Sequence, residues 1–239
     1  MRVRINTAII PIIKRRMKDS LPDWGAARRI ELVARGLGFT SNAALRAKLD
    51  DQPFAATVDE RAAAEFAHSV SLHLPRRLLS RTLARSMMEP IVEENPILTM
   101  HGFGIPDRHG FYGPKYEDEF KRSRAAFYDE SGCDQFELAL LLLQHAPRRK
   151  TLNMKNWSYG IKHIAEDISR AHGVRTDLGN YVSNGSIIVA AYYEGFLVRR
   201  ARHRSLNAFL NISARCSDEF ASAANIREKL GAEAISMPD

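Results

Sequence analysis

The sequence predicts a mainly α protein. Apolar residues recur at helical spacing along most of the 239 residues, as in TAIIPIIKRRMK and GAARRIELVARGLGF. Sustained alternation of apolar and polar residues, which is typical of strands, is almost absent. Hydrophobic residues make up 45% of the chain, enough for a core without metal or disulfide support. We therefore expect a multi-helix globular protein with a small basic N-terminal helical module, residues 1–52, and a larger helical C-terminal domain, residues 53–239.

Three short helices make up the predicted module. They lie in TAIIPIIKRRMK, in GAARRIELVARGLGF, which Gly36 and Gly38 can stop, and in NAALRAKL, which Thr40 or Ser41 can cap. Pro53 then marks the predicted boundary of the module.

The same three helices favour a helix-turn-helix in which SNAALRAKL is the recognition helix. Ser41, Asn42, Arg46 and Lys48 are the side chains that this helix would offer to base edges. A small helical interaction module is the alternative for these residues.

The next segment predicts two helices and one long loop. Thr57 opens TVDERAAAEFAHSV, and Pro75 begins PRRLLSRTLARSMM at the favoured first position. Residues from about 89 to 114 are rich in Gly, Pro and aromatic residues and predict a long irregular loop. Within it, His101, Asp107 and His109 suggest a metal or base assignment, and an ordered structural loop is the alternative.

The remaining helices are predicted in YEDEFKRSRAAFYDE, CDQFELALLLLQHA, SYGIKHIAEDISRAHG, NGSIIVAAYYEGFLVRR, SLNAFLNISARC and SDEFASAANIREKLG. CDQFELALLLLQHA is apolar nearly all round, which places it at the centre of the core. Ser183 or Asn184 can cap NGSIIVAAYYEGFLVRR, whose small residues predict a closely packed neighbour. The spacing of Tyr192 and Tyr193 directs at least one of them away from that neighbour.

Cysteine content and hydropathy bear on the compartment. Cys133 and Cys216 lie far apart and form no CxxC pair, which disfavours disulfides and cysteine zinc sites. The longest apolar run, SIIVAAYYEGFLV, is broken by Glu194 and is shorter than the roughly 20 residues that span a bilayer. We therefore expect a cytoplasmic protein without a membrane segment, and we predict neither a cofactor nor a metal.

Charge is unevenly distributed along the chain. The net charge is +7, and the isoelectric point is near 9.6. Residues 1–50 hold 11 Lys or Arg against 4 Asp or Glu, and residues 148–215 hold 12 against 4, whereas residues 51–147 hold 10 against 15. Two basic segments flanking an acidic one favour a polyanionic partner. The predicted phosphate contacts are Lys14, Arg15, Arg16, Lys18, Arg148, Arg149, Lys150, Arg199, Arg200, Arg202 and Arg204.

One helix combines groups suited to acid–base chemistry. His163 lies three residues before Glu166 and four after Tyr159, so each pair shares a helix face. The HxxE order differs from the HExxH and ExxH patterns of helical metal sites. Tyr159, His163 and Glu166 are the candidate catalytic residues, and a purely structural role is the alternative.

Residues 158–213 carry the series SYGIKH, AED, YVSNGSIIVAAYYEGF and LNAFLNIS. This series resembles a recurrent segment, SYGxKHxxE…Y(V/I)SNGxxxxAAxxxGF…NxxxNIS, of poorly characterised proteins from bacterial plasmids and other mobile elements. The matched positions are Ser158, Tyr159, Gly160, Lys162, His163, Glu166, Tyr181, Ser183, Asn184, Gly185, Ala190, Ala191, Gly195, Phe196, Asn207, Asn211, Ile212 and Ser213. The resemblance implies a bacterial, cytoplasmic protein associated with a plasmid or phage, and it implies no particular reaction or ligand.

These observations favour a non-enzymatic protein of a mobile element that binds nucleic acid, DNA rather than RNA, or acts as an accessory protein. One alternative is a protein-interaction module, an inhibitor or host-factor adaptor, that docks through the AAYYEGF helix and the aromatic loop. The other is a hydrolase or nuclease that uses His163 and Glu166 with Tyr159 or Lys162.

Overall fold

The computed structural model describes residues 1–106, 113–172 and 178–213. Across these ranges the protein is mainly helical, as predicted, with small antiparallel sheets. The chain divides into two compact units, Met1–Met87 and Met88–Asp239. None of the helices in the described ranges combines the length and the apolar character that crossing a bilayer requires.

The first unit combines helices with one two-stranded sheet. Its elements are β1 (Arg2–Ile5), α1 (Ile10–Ser20), α2 (Ala26–Gly36), α3 (Asn42–Asp51), β2 (Phe54–Thr57) and α4 (Glu60–Ser69), followed by the start of α5 (Leu78–Glu94). β1 pairs antiparallel with β2, with Arg2 opposite Thr57. Val3 and Ile5 are fully buried and alternate with exposed arginines, so β1 covers one side of this unit's core.

Local signals fix most helix ends of the first unit. The Ser41 hydroxyl accepts a hydrogen bond from the Ala44 N–H (3.1 Å), which confirms the predicted cap of α3. α2 ends at Gly36, as predicted. Thr57 does not open a helix, because it is the last residue of β2, and α4 follows the cap residue Asp59.

The second unit contains the remaining helices and two sheets. Its elements are β3 (Leu98–Thr99), β4 (Gly102–Phe103), α6 (Pro114–Ala125), α7 (Glu130–His145), β5 (Arg148–Trp157), α8 (Ser158–His172), α9 (Asn184–Glu194), β6 (Val198–Arg200) and β7 (Ala208–Ile212). β3 and β4 form a short hairpin, and β7 lies between β5 and β6 in an antiparallel sheet.

α7 and α9 form the centre of the second unit's core. Every residue of α7 from Gln135 to Leu143 is buried, which confirms its predicted central place. α9 buries every residue from Asn184 to Ala191, and its small side chains lie against α7. The Ser183 hydroxyl accepts from the Ser186 N–H (3.0 Å), so the predicted cap of α9 is also confirmed.

One predicted helix and the C-terminal end of another are wrong, because strands replace them. The helix predicted in SLNAFLNISARC is strand β7 over Ala208–Ile212, and α9 ends at Glu194 instead of continuing to Arg200. β7 is buried at all five positions, so its sequence lacks the alternation that reveals a half-exposed strand. Gly195 adopts a left-handed conformation (φ 77°) that stops α9 before β6. Residues 214–239, where the last helix was predicted, lie outside the described ranges.

The long loop predicted at about 89–114 is also corrected. α5 continues through Pro90 to Glu94, the β3–β4 hairpin follows, and α6 begins at Pro114. The Arg124 guanidinium of α6 donates to the carbonyl oxygens of Val92, Asn95 (2.9 Å), Pro96 (3.0 Å) and Leu98 (3.0 Å). These bonds satisfy carbonyl groups that the end of α5 leaves unpaired. Within this stretch, Asp107 and His109 lie outside the described residues.

Candidate functional site

A groove between α1, α2 and α3 of the first unit gathers several predicted phosphate contacts. Its volume is about 560 Å³. Its lining comprises Lys14, Arg15, Met17, Lys18, Ala26, Ala27, Arg29, Ile30, Asn42 and Arg46. Five of these side chains are cationic and none is acidic, which gives the groove a positive potential. We call it the basic groove.

The amphipathic pattern of the helices directs these cations outward. On α1, Met17 is buried while Lys14 and Lys18 are exposed. On α3, Leu45 is buried while Arg46 is exposed. The structure thus brings the predicted basic segment of α1 next to the predicted recognition helix, although the two are separated in sequence by α2.

Some residues in and beside the basic groove also make hydrogen bonds that hold the first unit together. Arg29 donates to the carbonyl oxygens of Leu21 (3.1 Å) and Trp24 (2.6 Å) beyond the end of α1, a tertiary role that the sequence did not indicate. Glu31 accepts from the Asn42 N–H (2.8 Å) and so occupies the first N–H of α3. α2, in contrast, begins without a side-chain cap and without an acidic residue in its first turn, so its dipole adds positive charge to the groove.

Two of the predicted phosphate contacts in the second unit also make contacts within the fold. The Arg148 guanidinium pairs with Glu194 (3.3 Å), a buried carboxylate, and lies over the Phe196 ring (4.4 Å to its centroid). Arg200 donates to the carbonyl oxygens of Ser205 (2.7 Å) and Phe103 (3.0 Å). Arg148 stays exposed beside these contacts, as do Arg149, Lys150, Arg199, Arg202 and Arg204, and only Arg200 is half-buried. They lie on β5, on β6 and in the turn after β6, so the β5–β7–β6 sheet brings the two basic segments to its two outer strands.

The acid–base candidates meet on α8 as their spacing predicts. Glu166 is 3% exposed, and it accepts from the Lys162 ammonium (2.8 Å), His163 Nδ1 (2.9 Å) and the Val182 N–H (3.2 Å). Arg170 approaches the same carboxylate at 3.5 Å. Lys162 is itself 6% exposed, so Glu166 and Lys162 form a buried ion pair with several hydrogen bonds.

The chemistry available at this cluster centres on His163. The contact of Nδ1 with Glu166 orients the ring, and in the neutral tautomer that donates from Nδ1 the Nε2 atom is an acceptor. The imidazole is about half-exposed, and its ring lies edge-on to Tyr159 (4.7 Å between centroids). An oriented neutral imidazole of this kind can act as a general base. In the described part of the chain, no group of three or more His, Cys, Asp or Glu is placed to hold a metal ion.

The pKa of Glu166 makes this cluster sensitive to acid. Burial by itself raises the pKa, but hydrogen bonds from Lys162, the Val182 N–H and His163, together with the Lys162 charge, hold it below its usual value. Because the pKa of Glu166 is lower in the folded protein than in the unfolded chain, the ionised carboxylate stabilises the fold. This stabilisation is complete above the unfolded pKa of about 4.3 and is lost as the pH falls through the folded pKa.

We therefore expect the stability difference between the wild type and Glu166→Gln to be constant near neutral pH and to shrink below about pH 4. The two proteins share their other carboxylates, so the difference isolates Glu166. The measurement is urea unfolding of both proteins between pH 3 and pH 7. A difference that stays constant down to pH 3 contradicts the assignment.

The polar residues of the mobile-element-like segment join elements of the second unit. The Asn184 amide donates to the carbonyl oxygens of His101 (2.9 Å) and Leu206 (3.0 Å) and to Asn207 Oδ1 (3.1 Å). The Ser158 hydroxyl accepts from the Ala208 N–H of β7 (2.9 Å). Asn211 similarly accepts from the Leu197 N–H (2.8 Å) and donates to the Arg149 carbonyl (2.7 Å). These side chains connect the β3–β4 hairpin, α8, α9 and the β5–β7–β6 sheet, which is a structural role.

The AAYYEGF helix offers little surface for docking. Tyr192 and Tyr193 are both half-buried, and the Tyr193 ring packs edge-on against Phe136 (6.0 Å between centroids). Burial raises the pKa of Tyr192. Glu194 is 4% exposed and accepts a hydrogen bond from Gln144 (3.1 Å). Most of α9 is therefore occupied by contacts within the second unit.

The aromatic loop residue His101 does not gather a set of ligands among the described residues. Its Nε2 lies 4.0 Å from a carboxylate oxygen of Glu119, on a polar cavity of about 280 Å³. Asp107 and His109, the other two candidates from this loop, lie outside the described residues.

No protein-family model, no curated protein and no solved structure matches the chain. The resemblance of residues 158–213 to mobile-element proteins therefore stays a prediction from the residues themselves. The basic groove and the α8 cluster are the geometric basis for a functional proposal.

Proposed function

We propose that this chain is a non-enzymatic, cytoplasmic protein of a plasmid or other mobile element that binds nucleic acid, and that its small basic N-terminal helical module makes the phosphate contacts. The observation that carries the proposal is the basic groove, whose lining holds five cationic side chains and no acidic one. Cations that neutralise phosphates release condensed counterions, and this release supplies most of the affinity of non-specific binding.

The arrangement of α2 and α3 favours duplex DNA as the ligand. The two helices are joined by a short turn in which Gly38 adopts a positive φ of 84°. α3 exposes Ala43, Arg46 and Ala47, a narrow surface of the kind that a recognition helix inserts into the major groove. Lys14 and Lys18 on α1 would then contact the backbone beside that groove.

The test compares two variants with the same change in net charge. Lys18→Glu with Arg46→Glu reverses two cations of the basic groove, and Arg61→Glu with Arg76→Glu reverses two exposed cations of the same unit outside its lining. In fluorescence-anisotropy titrations with a labelled duplex, we expect the groove variant to bind at least about tenfold more weakly at low salt. The slope of its log affinity against log salt concentration should also be smaller in magnitude by about 2, because each lost phosphate contact reduces the slope by about 0.9.

The control variant should bind within about threefold of the wild type near 0.15 M salt, where charges more than about 8 Å from the bound phosphates are largely screened. Equal losses in both variants would show that only net charge matters and would contradict a specific groove. Absence of wild-type binding at low salt would reject the proposal and favour a protein partner. Degradation of the labelled duplex during the titration would instead favour the hydrolase or nuclease at His163 and Glu166.

A further inference from the structure

The second unit exposes three large aromatic side chains beside cationic ones. Trp157 at the end of β5 is 42% exposed, Tyr159 at the start of α8 is 52% exposed, and Tyr181 just before α9 is 59% exposed. Trp157 and Tyr159 are two residues apart, so their Cα atoms lie within about 7.6 Å of each other. We call Trp157, Tyr159 and Tyr181 together the aromatic surface.

Lys162 joins the two tyrosines of the aromatic surface. Its ammonium lies over both rings, 5.2 Å from the centroid of Tyr159 and 5.0 Å from that of Tyr181. The ammonium is buried and held by Glu166, so its position between the rings is fixed. The His163 ring also lies against Tyr159 (4.7 Å between centroids), yet more than half of the surface of each tyrosine stays exposed.

Trp157 has a cation beside it on the same face of the sheet. Trp157 and Arg199 both pair with Phe209 of the central strand, and directly paired residues share a face. The Trp157 ring lies edge-on to Phe209 (6.0 Å between centroids), which limits its rotation. The Arg199 guanidinium lies against the Met154 sulfur (3.1 Å) and remains exposed.

Among the described residues, the carboxylates near the aromatic surface are paired or hydrogen-bonded. Glu119 and Asp129 line a cavity with Tyr181, where Glu119 pairs with Arg122 (3.4 Å) and Asp129 accepts from the Gly132 N–H (2.6 Å). Glu166 is buried and accepts hydrogen bonds from three donors. Asp167 is exposed and pairs with Arg170 (2.9 Å). The exposed side chains of Lys155 and Arg199 therefore give the surroundings of the aromatic rings a positive balance.

We infer that the aromatic surface of Trp157, Tyr159 and Tyr181 binds unpaired bases of single-stranded nucleic acid. Aromatic rings that are held in place and stay exposed can stack on any base, and nearby cations can contact the phosphates of the same strand. This inference goes beyond the proposed function, which assigns duplex phosphates to the basic groove of the first unit. Aromatic residues beside arginine also anchor protein interfaces, but the positive balance around these rings favours a polyanion.

Trp157 provides a direct signal for this binding. The chain has two tryptophans, and Trp24 is buried in the first unit, so in a Trp24→Phe background the indole fluorescence comes from Trp157 alone. We expect a 20-nucleotide oligothymidylate or oligouridylate to quench this fluorescence at low salt. Comparison of the two oligonucleotides distinguishes DNA from RNA as the ligand. Tyr159→Leu with Tyr181→Leu should weaken the binding about tenfold or more, whereas Tyr159→Phe with Tyr181→Phe should retain it.

The control is Tyr116→Leu, which removes another exposed tyrosine of the second unit and should leave binding unchanged. Lys18→Glu with Arg46→Glu should retain the quenching, since the basic groove is a separate site. If the variant with Tyr159→Leu and Tyr181→Leu binds the oligonucleotide as tightly as the wild type does, the inference is overturned and the groove proposal is unaffected. Absence of quenching by either oligonucleotide would also overturn it, and the rings would then be better explained as anchors for a protein partner.

Discussion

Replacing Gly185 with alanine is expected to destabilise the second unit by about 3 kcal/mol or more. A Cβ atom at this position would lie 2.1 Å from the Thr99 carbonyl oxygen and 2.8 Å from the Met100 Cα. These are backbone atoms of the β3 hairpin and its turn, so no side chain can rotate away to make room. Moving α9 outward would break the Gly185 N–H bond to the Met100 carbonyl (2.9 Å). The expected loss of stability therefore combines the cost of overpacking with the cost of the broken hydrogen bond.

The measurement for Gly185→Ala is urea unfolding followed by Trp157 fluorescence in the Trp24→Phe background. Gly160→Ala is the matched control, because Gly160 is exposed on α8 and nothing lies within 4 Å of its added Cβ. That control should gain up to about 1 kcal/mol from helix propensity. Similar unfolding midpoints for Gly185→Ala and the wild type would contradict the close approach of α9 to the hairpin.

Removal of the Glu166 carboxylate is expected to have the second large effect. Glu166→Leu leaves the Lys162 ammonium buried without its counter-charge, and breaking one side of a buried ion pair costs about 3–5 kcal/mol. The double variant Lys162→Met with Glu166→Leu removes both charges and replaces them with apolar side chains of similar length. We expect the double variant to be more stable than Glu166→Leu alone.

Urea unfolding of Glu166→Leu, Lys162→Met and the double variant gives the coupling between the two charges. Asp167→Asn serves as a control, because its pair with Arg170 is exposed on the same helix and contributes at most about 1 kcal/mol. If the double variant were less stable than Glu166→Leu by the full cost of a second independent change, Lys162 and Glu166 would not be coupled.

Local chemistry made the helices and their caps predictable. Ser41 and Ser183 follow the rule that a hydroxyl accepts from a helix's first turn, and the nearly continuous apolar sequence of α7 indicated its central place. The contact between His163 and Glu166 followed from i, i+3 spacing alone.

The strands could not be predicted in the same way. β7 is buried at every position, and β5 pairs with it through shifted registers, so neither shows a regular alternation. β1 pairs with β2, which lies some fifty residues away, and no local pattern encodes such a partner.

For the candidate sites too, local sequence patterns predicted some features and tertiary packing decided the others. Lys14 and Lys18 were predicted from a basic run, but their meeting with Arg46 depends on how α1 packs against α2 and α3. Arg148 and Arg200 belong to equally basic runs, yet tertiary contacts with Glu194 and Ser205 assign them to the fold. Clusters of charge in a sequence therefore do not identify which individual cations also make contacts within the fold.

The position of Asn184 before Gly185 also bears on the chemical ageing of the protein. An Asn–Gly sequence deamidates readily in a flexible chain, because the glycine nitrogen can attack the side-chain amide carbon to form a succinimide. Here that nitrogen is held in the first turn of α9 by its bond to Met100, and the Asn184 amide is held by three acceptors. The native fold thus protects a labile side-chain amide, whose loss would release ammonia, and aspartate or isoaspartate at position 184 would record the time that the second unit has spent unfolded.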